Sequence, residues 1–150
     1  MRNKQKMITI RQAEKDDIQA ICSFDQIAID NRENRRDFIA KSVKSGICFV
    51  ADIDGKVVGY TVLDYTFYSN GVIDMLYIHP KYQRKGIGAQ LVRHVESLCK
   101  TEKLFTSTNQ SNLPMQRLLN KLGYVPSGFI DNLDEGDPEI VYFKKIKKDR

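Results

Sequence analysis

The residues whose types and spacing could do chemistry gather in one stretch, Ile73 to Lys100. In Lys81-Tyr82-Gln83-Arg84-Lys85-Gly86-Ile87-Gly88-Ala89, basic side chains sit beside two glycines one residue apart. An apolar run of strand length, Ile73 to Ile78, leads into it, and His79-Pro80 ends that run. Behind it Ile87, Leu91, Val92, Val95, Leu98 and Cys99 recur at helical spacing. Strand, bare backbone and helix start is an arrangement that holds phosphate. Glycines let the chain approach a ligand closely, and first-turn amides have no partner inside the helix. Arg84 and Lys85 add positive charge at the same place. The six-residue glycine spacing of a dinucleotide fingerprint is absent, and no Gly-Lys-Ser/Thr follows. Taken alone, such a turn also serves as a plain connection, so the flanking elements have to support it.

Among titratable groups, Asp74 stands out as the only carboxyl between Val72 and Ile78. Desolvation in so apolar a run would raise its pKa towards neutrality, which suits a general base. The competing reading is a hydrated strand-start aspartate or one paired with a cation. Asp64 and Glu33 are weaker candidates for the same role. His79, before Pro80, reads as a turn residue, and His94 falls among polar helix positions as a solvated side chain. The three cysteines, Cys22, Cys48 and Cys99, are scattered without Cys-x-x-Cys spacing and lie in apolar stretches. No His, Cys or carboxylate cluster has metal-ligand spacing, so no metal is expected.

Elements that would position these groups can be read in order. Ile8 to Arg11 alternates as a strand, Ala13 to Phe24 reads as a helix, and Asp25 to Glu33 as a polar connection. A second helix spans Asn34 to Ser45, with Gly46 as its stop. Ile47 to Asp52 and Val57 to Phe67 form a hairpin about Asp54-Gly55, and Asn70-Gly71 makes a second tight turn into the strand at Val72. After the glycine loop and its helix come a short strand, Leu104 to Thr108, and a helix opened by Asn112 and Pro114 and closed by Gly123. Val125 to Ile130 and Ile140 to Phe143 complete an antiparallel pair, joined by an acidic link with Asp131, Asp134, Glu135 and Asp137, and Glu139 at its end. The order is βααβββαβαββ.

A chain of 150 residues, 41% hydrophobic and 29% charged, suits one globular domain over residues 1–150. No apolar run reaches membrane-spanning length, and Met1 to Lys6 is basic without the apolar core of a secretory signal. With unpaired cysteines, that argues for a cytoplasmic protein. The net charge of +5 is dispersed apart from the loop and a tail, Lys144 to Arg150, read as frayed and solvated. A nucleic-acid reader would show a basic face with interleaved aromatics, which is lacking, so no nucleic acid partner is expected.

Gln83-x-x-Gly86-x-Gly88, after a strand ending Leu76-Tyr77-Ile78, closely resembles the pyrophosphate loop of the GNAT superfamily of acyl-CoA-dependent N-acyltransferases. The element order matches that family's along nearly the whole chain. Asp54 to Tyr60 is similar to its second hairpin, and Asn112 with Leu122-Gly123-Tyr124 to its second cofactor element. The resemblance implies an α/β (α+β) fold: a mixed, mostly antiparallel, splayed sheet of about seven strands flanked by four helices. It implies acetyl-CoA as co-substrate, with Leu76, Tyr77 and Ile78 pairing the pantetheine arm. Gln83, Arg84, Lys85, Gly86, Ile87, Gly88 and Ala89 would hold the pyrophosphate, and Asn112 would bond the pantetheine from the other side. Many members carry a tyrosine seven residues after the asparagine to protonate the departing thiolate. Here Leu119 stands at that position. Either the thiolate leaves unassisted, or Tyr124 or another tyrosine supplies the proton.

The implied activity is acetyl transfer to a primary amine by direct attack, for which Asp74 is the candidate base read from the sequence itself. The acceptor is open: a small amine, an aminoglycoside, an amino acid or a protein amine. Glu33, Tyr65, Asp131 and Glu135 are the candidate acceptor-side residues, with Phe67 and Tyr68 as further pocket lining. Carboxylates in the last link would attract a cation, or would keep a solvated loop soluble. The competing function is a non-catalytic acyl-CoA sensor. A monomer or a homodimer is expected.

Overall fold

The computed structural model describes residues 7–146. Seven strands make one sheet in the order β1-β2-β3-β4-β5-β7-β6. They are β1 Ile8–Gln12, β2 Cys48–Ile53, β3 Lys56–Phe67, β4 Asn70–Ile78, β5 Lys103–Asn109, β6 Val125–Ile130 and β7 Glu139–Lys145. The helices are α1 Asp17–Phe24, α2 Gln26–Ile29, α3 Arg35–Lys44, α4 Ile87–Leu98 and α5 Leu113–Lys121, with a 3-10 turn at Pro80–Tyr82. The chain folds into two compact units, Met1–Val62 with Met75–His94, and Leu63–Asp74 with Val95–Arg150.

In the first unit β2 runs antiparallel to both β1 and β3. Asp54 and Gly55 have φ of 50° and 87°, the left-handed pair that a two-residue hairpin loop demands. Ile21, Phe24, Ile39 and Val43 from the helices bury against Val50, Tyr60 and Val62. Ala51, Val58, Ile87 and Leu91 form a second cluster, with Leu76 and Ile78 packed on it. Gly59 allows close approach: a Cβ there would lie 3.0 Å from Ile78 Cδ1 and 3.2 Å from the Tyr77 carbonyl.

Two boundaries differ from the sequence reading because aspartates reorganise the backbone. Helix α1 begins at Asp17, not Ala13, since the Asp17 carboxylate accepts from Glu14 N at 2.7 Å and holds the preceding residues in a turn. The polar connection expected from Asp25 to Glu33 contains α2, a single turn whose amides at Ile27 and Ala28 donate to the Asp25 carboxylate. Among the described residues the helices therefore number five rather than four. His94, expected in solvent, is half-buried with its ring 5.3 Å from that of Phe49.

In the second unit β4 and β5 are parallel over Gly71↔Leu104, Val72↔Phe105 and Ile73↔Thr106. Strand β5 continues antiparallel with β7 from Lys103↔Lys145 to Asn109↔Glu139, and β6 pairs outside β7. The turn expected at Asn70-Gly71 lies two residues earlier, at Tyr68 and Ser69, with φ of 52° and 63°. Asn70 opens β4 and its amide donates to the Tyr68 carbonyl at 3.1 Å. Gly71 serves packing instead: a Cβ there would come within 2.5 Å of Cys99 Sγ. Asn112 caps α5 by accepting from Met115 N. Lys144 and Lys145, expected in a solvated tail, belong to β7 and pair with Glu96 at 3.2 Å and Glu102 at 3.0 Å. The rest of that tail, 147–150, and the basic start, 1–6, lie outside the described residues.

Candidate active site

The glycine loop leaves β4 through His79, whose Nδ1 accepts from Lys81 N at 3.1 Å and starts the 3-10 turn. Its ring lies 5.2 Å from those of Phe24 and Tyr82. Burial, then Lys56 and Lys81, push the imidazole pKa down, so His79 is neutral at neutral pH. It is the turn residue its place before Pro80 suggested. Gln83, Arg84, Lys85 and Gly86 are exposed, and Arg84 and Gly86 take left-handed φ of 63° and 79°. A Cβ on Gly86 would meet nothing within 4 Å, so one side of this backbone is open space. Gln90 N bonds the Gly86 carbonyl at 3.2 Å, making Ile87, Gly88 and Ala89 the first turn of α4, with amides that need an outside partner. Lys56 and Lys85 ammonium groups stand 5.2 and 5.9 Å from the centre of the Tyr82 ring. The result is an open, cationic cradle at a helix start. Beneath it Leu76 and Ile78 pack into the core, and the Tyr77 hydroxyl accepts from Gln26 N at 3.0 Å.

The same unit holds a buried network for which the sequence offered no signal. Asp25 is 0% exposed. One oxygen caps α2, while the other accepts from Arg35 Nη1 at 2.7 Å and the Tyr60 hydroxyl at 2.6 Å. Arg36 donates to the Ala28 carbonyl at 2.7 Å, so α2 is tied at both ends. The Asp25 carboxylate holds Arg35 charged despite burial, and burial pushes the Tyr60 hydroxyl pKa up, so that it stays a donor.

In the second unit Asp74 remains accessible on β4. Its pKa is raised to about 6, first by partial burial of the carboxyl, then by the charge of Asp64 on β3 and a hydrogen bond with it. Asp64 also accepts from Tyr65 N at 2.6 Å. A pocket of about 150 Å³ adjoins Asp74, walled by Phe67, Val72, Ile73, Phe105, Ile130 and Val141. Two hydroxyls also reach it, and both are engaged: Thr106 donates to the Ile73 carbonyl at 3.1 Å and Ser107 to Glu139 at 2.7 Å.

Other candidates are less free. The Tyr65 hydroxyl accepts from Lys100 N at 3.1 Å. Asn112 is exposed, its carbonyl oxygen taken by the α5 cap and its amide NH₂ left to donate. Tyr124 is only 2% exposed and donates to Glu96 at 2.7 Å, with Lys144 on the same carboxylate; burial and Glu96 push its pKa up. That geometry does not suit a proton donor to a thiolate. Leu119 is 0% exposed in the core. Of the acidic link, Asp134 accepts from Asn109 and Asp137 from Ser111, while Asp131 and Glu135 are exposed, as is Glu33. Most of that charge is a latch between the link and the end of β5. Among the described residues no group of His, Cys, Asp or Glu could hold a metal, and no helix is long and apolar enough to cross a membrane.

A mixed seven-stranded sheet whose fourth strand ends in an open glycine cradle at a helix start is the architecture of an acetyltransferase fold. The chain belongs to the acetyltransferase (GNAT) family, whose model matches residues 9–124. It is similar to a GNAT-family acetyltransferase from Bacillus cereus, at 32% identity and a TM-score of 0.86 over 93% of this chain and 97% of that one. More distant in sequence, and informative on fold alone, are yncA of Salmonella typhimurium, a putative acetyltransferase solved with acetyl-CoA, and the ribosomal-protein-S18-alanine N-acetyltransferase of Escherichia coli. The first shows 19% identity and a TM-score of 0.76 over 95% of both chains. The second shows 20% identity and 0.78, over 96% of this chain and 97% of that one. No curated protein matches the chain by sequence.

Proposed function

We propose that the protein transfers an acetyl group from acetyl-CoA to a primary amine by direct attack in a ternary complex. The observation that carries this reading is the open backbone at Gly86, left-handed at 79° and flanked by Arg84 and Lys85 at the start of α4. The residues present fit the co-substrate: the cradle has room, unpaired amides and positive charge, as a pyrophosphate requires. Gln83 to Ala89 would hold the diphosphate, the main chain of Leu76, Tyr77 and Ile78 the pantetheine, and the amide of Asn112 its other side. When bound, acetyl-CoA supplies an activated thioester.

Positioning supplies much of the rate in such a reaction. Asp74 takes the first ammonium proton, its raised pKa placing the carboxylate within reach of neutral pH. The amine then forms the C–N bond, with a backbone amide near Leu76 stabilising the oxyanion. Collapse breaks the C–S bond, and the nitrogen's second proton ends on the thiolate through solvent, because the Tyr124 hydroxyl is engaged by Glu96. Glu33, Tyr65, Asp131 and Glu135 are the remaining acceptor-side residues. The setting is the cytoplasm, and the partner an amine rather than nucleic acid. The engaged Tyr124 and buried Leu119 favour a second reading, an acyl-CoA sensor without turnover.

Acetyl-CoA titration and thiol release with a panel of amines separate the two readings. Gly86→Glu is expected to abolish acetyl-CoA binding, with an unchanged circular dichroism spectrum, because its carboxylate would occupy the cradle. Unaltered affinity in that variant would refute the loop assignment, and binding without thiol release on any amine would favour the sensor.

A further inference from the structure

The pocket beside Asp74 narrows the acceptor class, given the transferase reading above. Its polar groups can be accounted for one by one. Thr106 and Ser107 direct their hydroxyl protons into the protein, to the Ile73 carbonyl and the Glu139 carboxylate. Among the residues lining the pocket, that leaves Asp74 as the charged group to meet a ligand and the two hydroxyl oxygens as acceptors only, with Asp64 acting on Asp74 from the neighbouring strand. Asp74 is the single ionisable side chain among the lining residues, which calls for one cationic or proton-donating group on the ligand.

The remaining wall is apolar. Phe105 anchors it, with its ring centre 5.0 Å from that of Phe67 and 5.8 Å from that of Phe143. Ile130 and Val141 complete it from β6 and β7. About 150 Å³ is the size of cavity that accepts one benzene molecule. A polyamine or an aminoglycoside would bring several charged or hydroxylated groups against this wall, and each would lose its hydration without a partner.

We propose that this pocket receives the body of the acceptor, so that the substrate is a small primary amine carried on an apolar group about the size of a benzene ring, with its ammonium at the Asp64–Asp74 carboxyl pair. Recognition then divides cleanly: charge at one point, shape and desolvation along the wall.

The test is steady-state thiol release at saturating acetyl-CoA. It uses 2-phenylethylamine and 3-methylbutylamine against spermidine and kanamycin, on the wild-type chain and on Phe105→Ala and Ile130→Arg. The apolar amines are expected to show kcat/KM at least about tenfold above spermidine and kanamycin. Each variant should lower the apolar amines' kcat/KM by about tenfold with the KM for acetyl-CoA unchanged. Ile130 is 42% exposed, so its substitution tests the wall even where loss of the Phe105 ring prevents folding. Preference for spermidine or kanamycin, or apolar-amine kinetics untouched by Ile130→Arg, would overturn the assignment and leave the transferase intact. Failure to bind acetyl-CoA at all would remove the transferase reading itself, and this assignment with it.

Discussion

Asp25 and Asp74 are both carboxylates, and their surroundings treat them in opposite ways. Asp25 is sealed from solvent, with four donors on its two oxygens, one of them a guanidinium. Both oxygens are engaged by these donors, and nothing from outside can reach them. Asp74 faces solvent and a pocket, and its near neighbour is another carboxyl. Like charge and lost hydration there favour the protonated form, so the group exchanges a proton near neutral pH. Chemistry goes where a charge is left incompletely compensated and accessible. A fully compensated charge builds structure, here the placement of α2 beside the Tyr77 hydroxyl.

Removing each partner in turn tests that contrast. Asp25→Ala leaves Arg35 buried without its anion, and is expected to cost about 3–5 kcal/mol in denaturant unfolding. A loss below about 1 kcal/mol would mean that the network is not what holds α2. Asp74→Asn should lower kcat by about a hundredfold at pH 7–8. Its effect on stability has the other sign. The folded-state pKa of about 6 lies above the reference value of 3.8, so the wild-type aspartate stabilises the fold below pH 3.8 and loses that contribution as pH rises through about 6. The asparagine variant should therefore melt higher than wild type at pH 8 and equally at pH 3.5. A variant that melts lower at pH 8 would return Asp74 to a structural role.

Tyr60→Phe removes one donor from Asp25 and should cost about 1.5–3 kcal/mol, with acetyl transfer unchanged. The smallest effect belongs to Asp64→Asn. Without the second negative charge, the rise of kcat with pH should move to lower pH by about one unit, while kcat on the alkaline plateau stays put. An unmoved profile would show that Asp64 does not act on Asp74.

How much of this was legible in the chain depended on how local the cause was. The glycine cradle could be read because a left-handed backbone at Gly86 and an exposed first helical turn are demands made on residue type at fixed spacing. The hairpin at Asp54-Gly55 was legible for the same reason. Asn70-Gly71 carried the same signature and misled: Gly71 answers to crowding by Cys99, a contact with a residue 28 positions away. The turn fell instead on Tyr68 and Ser69, which carry no strong turn signal. Turn placement sets which β3 side chain stands beside which β4 side chain, so the Asp64–Asp74 pair could not be read from order alone.

Local pattern thus determined the element order apart from α2, the cradle and the isolation of Asp74 in an apolar strand, because periodicity, glycine and charge act on near neighbours. The tertiary structure decided what surrounds each carboxylate. It brought Arg35 and Tyr60 to Asp25, Asp64 to Asp74, Ser111 to Asp137 and Glu96 to Tyr124, across separations of 10 to 35 residues. Whether a charge is neutralised or left poised depends on what lies within a few ångströms in space, and chain order alone does not contain that distance.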